Sequence, residues 1–265
     1  MRRTPCTVAL ILCALAALWV SPTAGAESAL RLSRPERYGD IAAQTFDETG
    51  RRIGDAHLRI AQLPNGDVSL LSESRIDGGA ANRLTAQLAP VDGGAHLRPL
   101  TEESHTDLSG GSGLGFLRVD HAARLLRCTP PEGEPVELAL PEGERVALAP
   151  MNLLFLPLVR GETDEVAFQV AMCQGGPRIV DAKARLAPHP SPDDAAGRLV
   201  EVRYELDFGP VLSSIVKPFL PRFSLWFERA APGDWMASRM PFYARGPTVL
   251  VVRAGLSPDS LGLDR

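Results

Sequence analysis

Thr101-Glu102-Glu103-Ser104-His105-Thr106-Asp107 gathers acid, hydroxyl and imidazole into one short stretch, the raw material of nucleophilic catalysis. A hydroxyl nucleophile needs a base within hydrogen-bond reach and a third group to orient that base. In an extended strand, however, Glu103, His105 and Asp107 point to one face and Ser104 and Thr106 to the other, so His105 is poorly placed to draw a proton from Ser104. The stretch reads as the polar face of a strand. Ser109-Gly110-Gly111-Ser112-Gly113-Leu114-Gly115 has the glycine content of a phosphate-cradling loop, without the Gly-Lys-Ser/Thr ending or a following helix. It is not the G-x-S-x-G elbow of hydrolases either, because Leu114 stands where the last glycine belongs. It reads as a flexible connection.

His57, His96, His105, His121 and His189 stand apart, with no pair at the spacing that sets two metal ligands on one strand or helix. Asp92, Asp107 and Asp120 could join His105 or His121 around an ion only through a fold contact that the sequence does not announce. No metal, cofactor or catalytic residue is expected. A hydrolase built on Ser104 or Ser112 with a distant histidine ranks below any binding function.

What the cysteines can do depends on the compartment. Arg2 and Arg3, an apolar run over residues 8–20 and the small residues Ala24-Gly25-Ala26 have the three-part pattern of a secretory signal peptide, residues 1–26, with cleavage near Ala26. An uncleaved anchor is the poorer reading, since the apolar run is shorter than a spanning helix needs. Cys13 follows Leu12, where a lipid-attachment site wants a small residue. A periplasmic or secreted location is expected. There Cys128 and Cys173, far apart and without a C-x-x-C context, suit a structural disulfide better than a redox pair. Closing that loop of roughly 45 residues stabilises a fold by about 4 kcal/mol in the chain-entropy view.

The chain carries 28 Lys and Arg against 32 Asp and Glu, and loss of the leader's Arg2 and Arg3 makes it more acidic still. With no basic cluster, nucleic acid is excluded as an expected partner. Lys183 and Lys217 are the only lysines beside many arginines, a bias that suits a GC-rich bacterial genome. Residues 27–265 are read as one exported domain.

The elements that must position any site are strands. Short runs of period-two alternation separated by Gly, Pro, Asn and Asp dominate from residue 40 onward. Over residues 199–208, Val200, Val202, Tyr204, Leu206 and Phe208 face a core while Glu201, Arg203, Glu205 and Asp207 face water. Residues 178–186 repeat the pattern with Val180, Ala182, Ala184 and Leu186 inward, and their outward charges are expected to pair with those of the next strand. Hairpins are expected at Leu63-Pro64-Asn65-Gly66, where Asn and Gly tolerate positive φ, at Gln174-Gly175-Gly176-Pro177 and at Pro232-Gly233-Asp234. Residues 248–253 are apolar on both faces and read as the last strand, covered on each side. Residues 151–158 and 210–221 break the alternation and read as short helices that plug or cap. The Pro- and Asp-rich residues 187–197 form a solvated connection and not a domain boundary. The result is an all-β fold: a highly curved antiparallel sheet or half-open β-barrel of roughly ten to twelve strands with one or two short helices.

Phe219, Phe223, Trp226, Phe227, Trp235, Phe242 and Tyr243 form the densest aromatic cluster, read first as core of the last strands and second as the lining of an apolar pocket. The layout, with opening strands around Gly50 and Gly54, a central apolar helix, a hairpin at Gly175 and Gly176 and a late Leu225-Trp226 strand, resembles exported bacterial domains of unknown function that form half-open barrels. That group is similar in shape to the periplasmic lipoprotein carriers of the LolA/LolB kind. The resemblance implies a curved sheet around an apolar cavity with a helical lid, for which Leu153, Phe155, Leu156 and Phe219 are the candidates; Phe223 and Trp226, from the aromatic cluster, complete the expected ligand-binding residues. The expected function is a non-enzymatic binding or carrier module for an apolar or amphiphilic ligand, with peripheral membrane contact. The alternative is an envelope scaffold that docks a protein partner.

Overall fold

The structure is a computed structural model and describes residues 30–108, 113–148, 151–173, 176–188, 197–209, 223–243 and 246–263. The proposed leader, Ser112, His189, Phe219, the expected helix over residues 210–221 and most of the 187–197 connection lie outside the described residues.

The chain forms β1 (Leu32–Ser33), β2 (Gly39–Phe46), β3 (Arg52–Gln62), β4 (Val68–Ile76), β5 (Ala81–Val91), β6 (His96–Asp107), β7 (Gly115–Asp120), β8 (Leu125–Thr129) and β9 (Val136–Ala139). Two single-turn helices follow, α1 (Met151–Leu154) and α2 (Leu156–Val159). Then come β10 (Val166–Met172), β11 (Arg178–Leu186), β12 (Leu199–Asp207), β13 (Phe223–Glu228), β14 (Trp235–Pro241), β15 (Thr248–Arg253) and a short α3 (Pro258–Leu261). All fifteen strands belong to one antiparallel sheet with the order β10-β11-β12-β13-β14-β15-β2-β3-β4-β5-β6-β7-β8-β9, and β1 adds to β6. The fold is an all-β open barrel. Among the described residues the strands number fifteen, more than the expected ten to twelve; β1 and β9, at two and four residues, are too short to show an alternation and account for two of the extra strands.

Two meanders, β2 to β9 and β10 to β15, meet where β15 pairs with β2. This central place explains why β15 is apolar on both faces. Leu250 and Val252 pack with Phe46, Trp226, Leu261 and Leu263 on one side, and Val249 packs with Ala80 and Phe242 on the other. The main core lies inside the curl. Ile60, Leu70 and Leu88 of one meander meet Phe168, Val202, Tyr204 and Phe227 of the other across α1 and α2.

The ends of the sheet, β9 and β10, do not pair. Residues 145–147 cross the gap: Gln169 donates its N–H to the Arg145 carbonyl at 2.8 Å, and Ala147 donates to the Gln169 carbonyl at 2.9 Å. Beside this parallel bridge, Cys128 of β8 and Cys173, just past β10, form the expected disulfide, with Cα atoms 5.6 Å apart. Leu117, Val119, Leu126, Val146 and Ala171 bury the same seam.

Several local expectations are amended. At the first hairpin only Gly66 takes a positive φ, +88°, and the Asn65 side chain instead accepts from Asp67 N–H and donates to its carboxylate. Leu63 N–H bonds to the Asp67 carbonyl, so the turn is a longer, bulged one. Leu186, expected inward, is 41% exposed, because the last residue of β11 runs beyond the covered part of the sheet. Glu201, expected outward in water, is buried, and it accepts hydrogen bonds from Ser224 Oγ at 2.7 Å and from the Arg203 guanidinium. The outer face there is covered by the Leu199, Trp226 and α3 cluster. Lys183 and Arg185 make ion pairs with Glu165 at the start of β10, on the side away from β12. The β11–β12 register places Arg185 opposite Arg203 and Asp181 opposite Asp207, so it does not favour cross-strand pairing throughout.

Candidate functional site

A helix that is apolar all round belongs in a core. Residues 151–159 offer no polar side chain except Asn152, and Pro157 sits in the first turn of α2, where its missing N–H costs nothing. Leu153, Leu154, Phe155, Leu156 and Leu158 are all buried within the curl of the sheet. Phe155 meets Phe168 edge-on at 5.6 Å and Tyr204 at 5.8 Å, and Tyr204 stacks on Phe223 at 4.5 Å. Burial raises the Tyr204 hydroxyl pKa and keeps it neutral. The helices thus fill the interior as a plug.

The outer end of the plug forms the floor of a cleft of ≈ 180 Å³ at the barrel mouth. Leu153 and Leu156 meet Ile41, Ile60, Phe227 and Trp235 there, and the walls come from the segment before β2 and the β13–β14 turn. That turn touches α2 so closely that a Cβ at Gly233, whose φ is +79°, would lie 2.9 Å from Val159 Cγ1. The rim is charged. Arg37 and Arg253 both donate to Asp234 Oδ2, at 3.2 and 3.3 Å, and Arg160 pairs with Glu36 at 3.2 Å. Asp40 accepts from Arg59 at 2.6 Å, which, with a nearby His57, holds its carboxyl below the usual range.

Of the residues expected to form a pocket, Leu153 and Leu156 line this cleft, Phe155 and Phe223 belong to the packed interior, and Trp226 lies on the opposite face of β13. Along β13, Leu225 and Phe227 turn into the main core while Trp226 turns out, beneath the Arg239 guanidinium at 5.6 Å from its ring. The aromatic cluster of the sequence is therefore divided between faces. Phe242 and Tyr243 join yet another group, against Val249.

A polar cluster missing from the sequence reading lies at the seam. Glu102 of β6 is fully buried, and its Oε2 stands 3.1 Å from His121 Nε2 in the β7–β8 turn. Glu144, on the segment that crosses the gap, stands 2.8 Å from His121 Nδ1, and Leu148 N–H donates to Glu102 Oε1 at 3.0 Å. Burial opposes a charge on the ring, but the hydrogen bonds and charges of the two glutamates outweigh it and raise the His121 pKa to about 9. The imidazolium is a clamp between two carboxylates. The stretch around Ser104 behaves as its alternation indicated, with exposed His105 and Asp107 bonded to each other at 2.8 Å on one face. Among the described residues no group of three His, Cys, Asp or Glu side chains is placed to hold a metal ion.

No family model matches the chain, and no curated protein matches it. The chain is similar to a solved β-barrel-like protein. That structure, of a domain of unknown function, DUF1849, from Brucella abortus, shares 11% identity at a TM-score of 0.46 and spans 86% of this chain and 99% of its own. Among the described residues no helix is long and apolar enough to cross a membrane. The disulfide is consistent with an extracellular or periplasmic protein.

Proposed function

We propose that the chain is an exported, non-enzymatic binding module whose site is the mouth cleft, and that its ligand is amphiphilic. The observation that carries this reading is the pairing of an apolar floor, in which Ile41 and Trp235 are the more accessible side chains above buried Leu153, Leu156 and Phe227, with a rim of arginines and carboxylates on separate elements. Such a site holds the apolar part of a ligand by burial and its polar part by hydrogen bonds. The cleft's ≈ 180 Å³ is below the range of roughly 300–1,000 Å³ that encloses a drug-sized molecule, so it takes one end of a ligand and not a whole lipid. An envelope scaffold is the second reading, favoured by the plug that fills the curl.

Native mass spectrometry of the protein purified from a bacterial envelope, with extraction and identification of bound lipids, separates the two. Stoichiometric amphiphile that is lost from Tyr38→Glu, an exposed wall position, and from Trp235→Ala, with both variants melting cooperatively, supports the cleft. A ligand-free mass, with an envelope protein recovered by crosslinking, supports the scaffold.

A further inference from the structure

The charges at the cleft are unevenly shared. Glu36 has Arg160 as its partner, and Asp40 has Arg59 with His57 close by. Asp234 alone serves two guanidiniums, since Arg37 and Arg253 both approach the same oxygen, Oδ2. A guanidinium carries five N–H donors, and among the described residues each of these two bonds to Asp234 through one Nη1. Over the whole lining three arginines face three carboxylates, but at the edge of the floor beside Trp235 two guanidiniums, with donors to spare, share the single carboxylate of Asp234. Planar guanidiniums suit carboxylate and phosphate groups because they bond them through paired donors.

The cleft also limits the apolar part. Its ≈ 180 Å³ is close to the roughly 150 Å³ apolar cavity that admits a benzene ring. From this juxtaposition we infer that the cleft selects small anionic amphiphiles, a short alkyl chain or single ring bearing one carboxylate or phosphate. The anion meets Arg37 and Arg253, and the apolar body lies on Ile41 and Trp235. This rests on the reading of the cleft as a ligand site. Within the site Asp234 acts as an internal competitor, occupying the two arginines when no ligand is bound.

The test is calorimetric titration of the purified protein with octanoate, 1-octanol and octyltrimethylammonium, which share an alkyl chain and differ in head charge. Octanoate is expected to bind about tenfold more tightly than the cation, with octanol between them, and the gap should narrow as salt is raised. Arg253→Gln weakens octanoate by about threefold, whereas Asp234→Asn strengthens it by a similar factor. The opposite signs are decisive, because a rim pair with a merely structural role weakens binding in both variants. Equal binding of the three probes, preference for the cation, or weakening by Asp234→Asn overturns the anion preference while the cleft stands. Failure of all three probes to bind the unaltered protein removes the ligand-site reading itself.

Discussion

His121 is the residue whose behaviour departs furthest from its free chemistry. Its ring is almost buried between Glu102 and Glu144, and its pKa rises to about 9 from an unfolded value near 6.5. A group whose folded pKa is raised contributes stability that is fully present below the unfolded pKa and fades as pH climbs through the folded one. The clamp therefore holds below about pH 6.5, weakens between pH 6.5 and 9, and is gone above that. Urea denaturation across pH 6 to 10 should show a loss on the order of 3 kcal/mol. His121→Gln should flatten that slope and lower stability at pH 6, whereas an unchanged slope in the variant would place the titrating group elsewhere. Nothing in the local sequence announces this cluster. Glu102, His121 and Glu144 are brought together only because β6, the β7–β8 turn and the gap-crossing segment converge at the seam.

At the scale of elements, the plug and the turn that presses on it set the shape of the cleft. The apolar run that breaks the strand alternation made a short helix legible at residues 151–158, and Pro157, tolerated in a first turn, divides it into α1 and α2. Its contact with the β13–β14 turn was not legible, because the closeness of Gly233 to Val159 depends on how two distant elements are carried by the sheet. Gly233→Ala meets both a left-handed backbone and a 2.9 Å clash, and it should lower stability by roughly 1–3 kcal/mol. Thermal melts measure this. If Gly233→Ala melts like the unaltered protein, the turn and α2 are not in firm contact. Division of the aromatic cluster was not legible either: the residues stand close in sequence, and only the strand pleat and the packing of α3 separate Trp226 from Phe223 and Phe227.

For the whole molecule, the decisive feature is a sheet whose ends do not pair. The disulfide and the Gln169 bridge hold the seam, while the β15–β2 junction is an ordinary antiparallel ladder. Replacing Cys128 and Cys173 together by Ala should cost about 4 kcal/mol. Hydrogen exchange should then rise first at residues 145–147 and β10, and last at β15 and β2. Uniform loss of protection would show that the seam is not a separate unit.

By itself the sequence determined the open, curved all-β architecture, a short apolar helix at residues 151–158, the Cys128–Cys173 pairing and the doubly covered β15. Each follows from local periodicity, from apolar content or from a small number of cysteines. Only the tertiary structure decided that Leu153 and Leu156 floor a cleft while Phe155 is core, that Trp226 faces away from Phe223, and that two arginines share Asp234. Those facts depend on register and on contacts between residues far apart in the chain. A pattern of period two says which side chains share a face, and only the curl of the sheet says what that face meets.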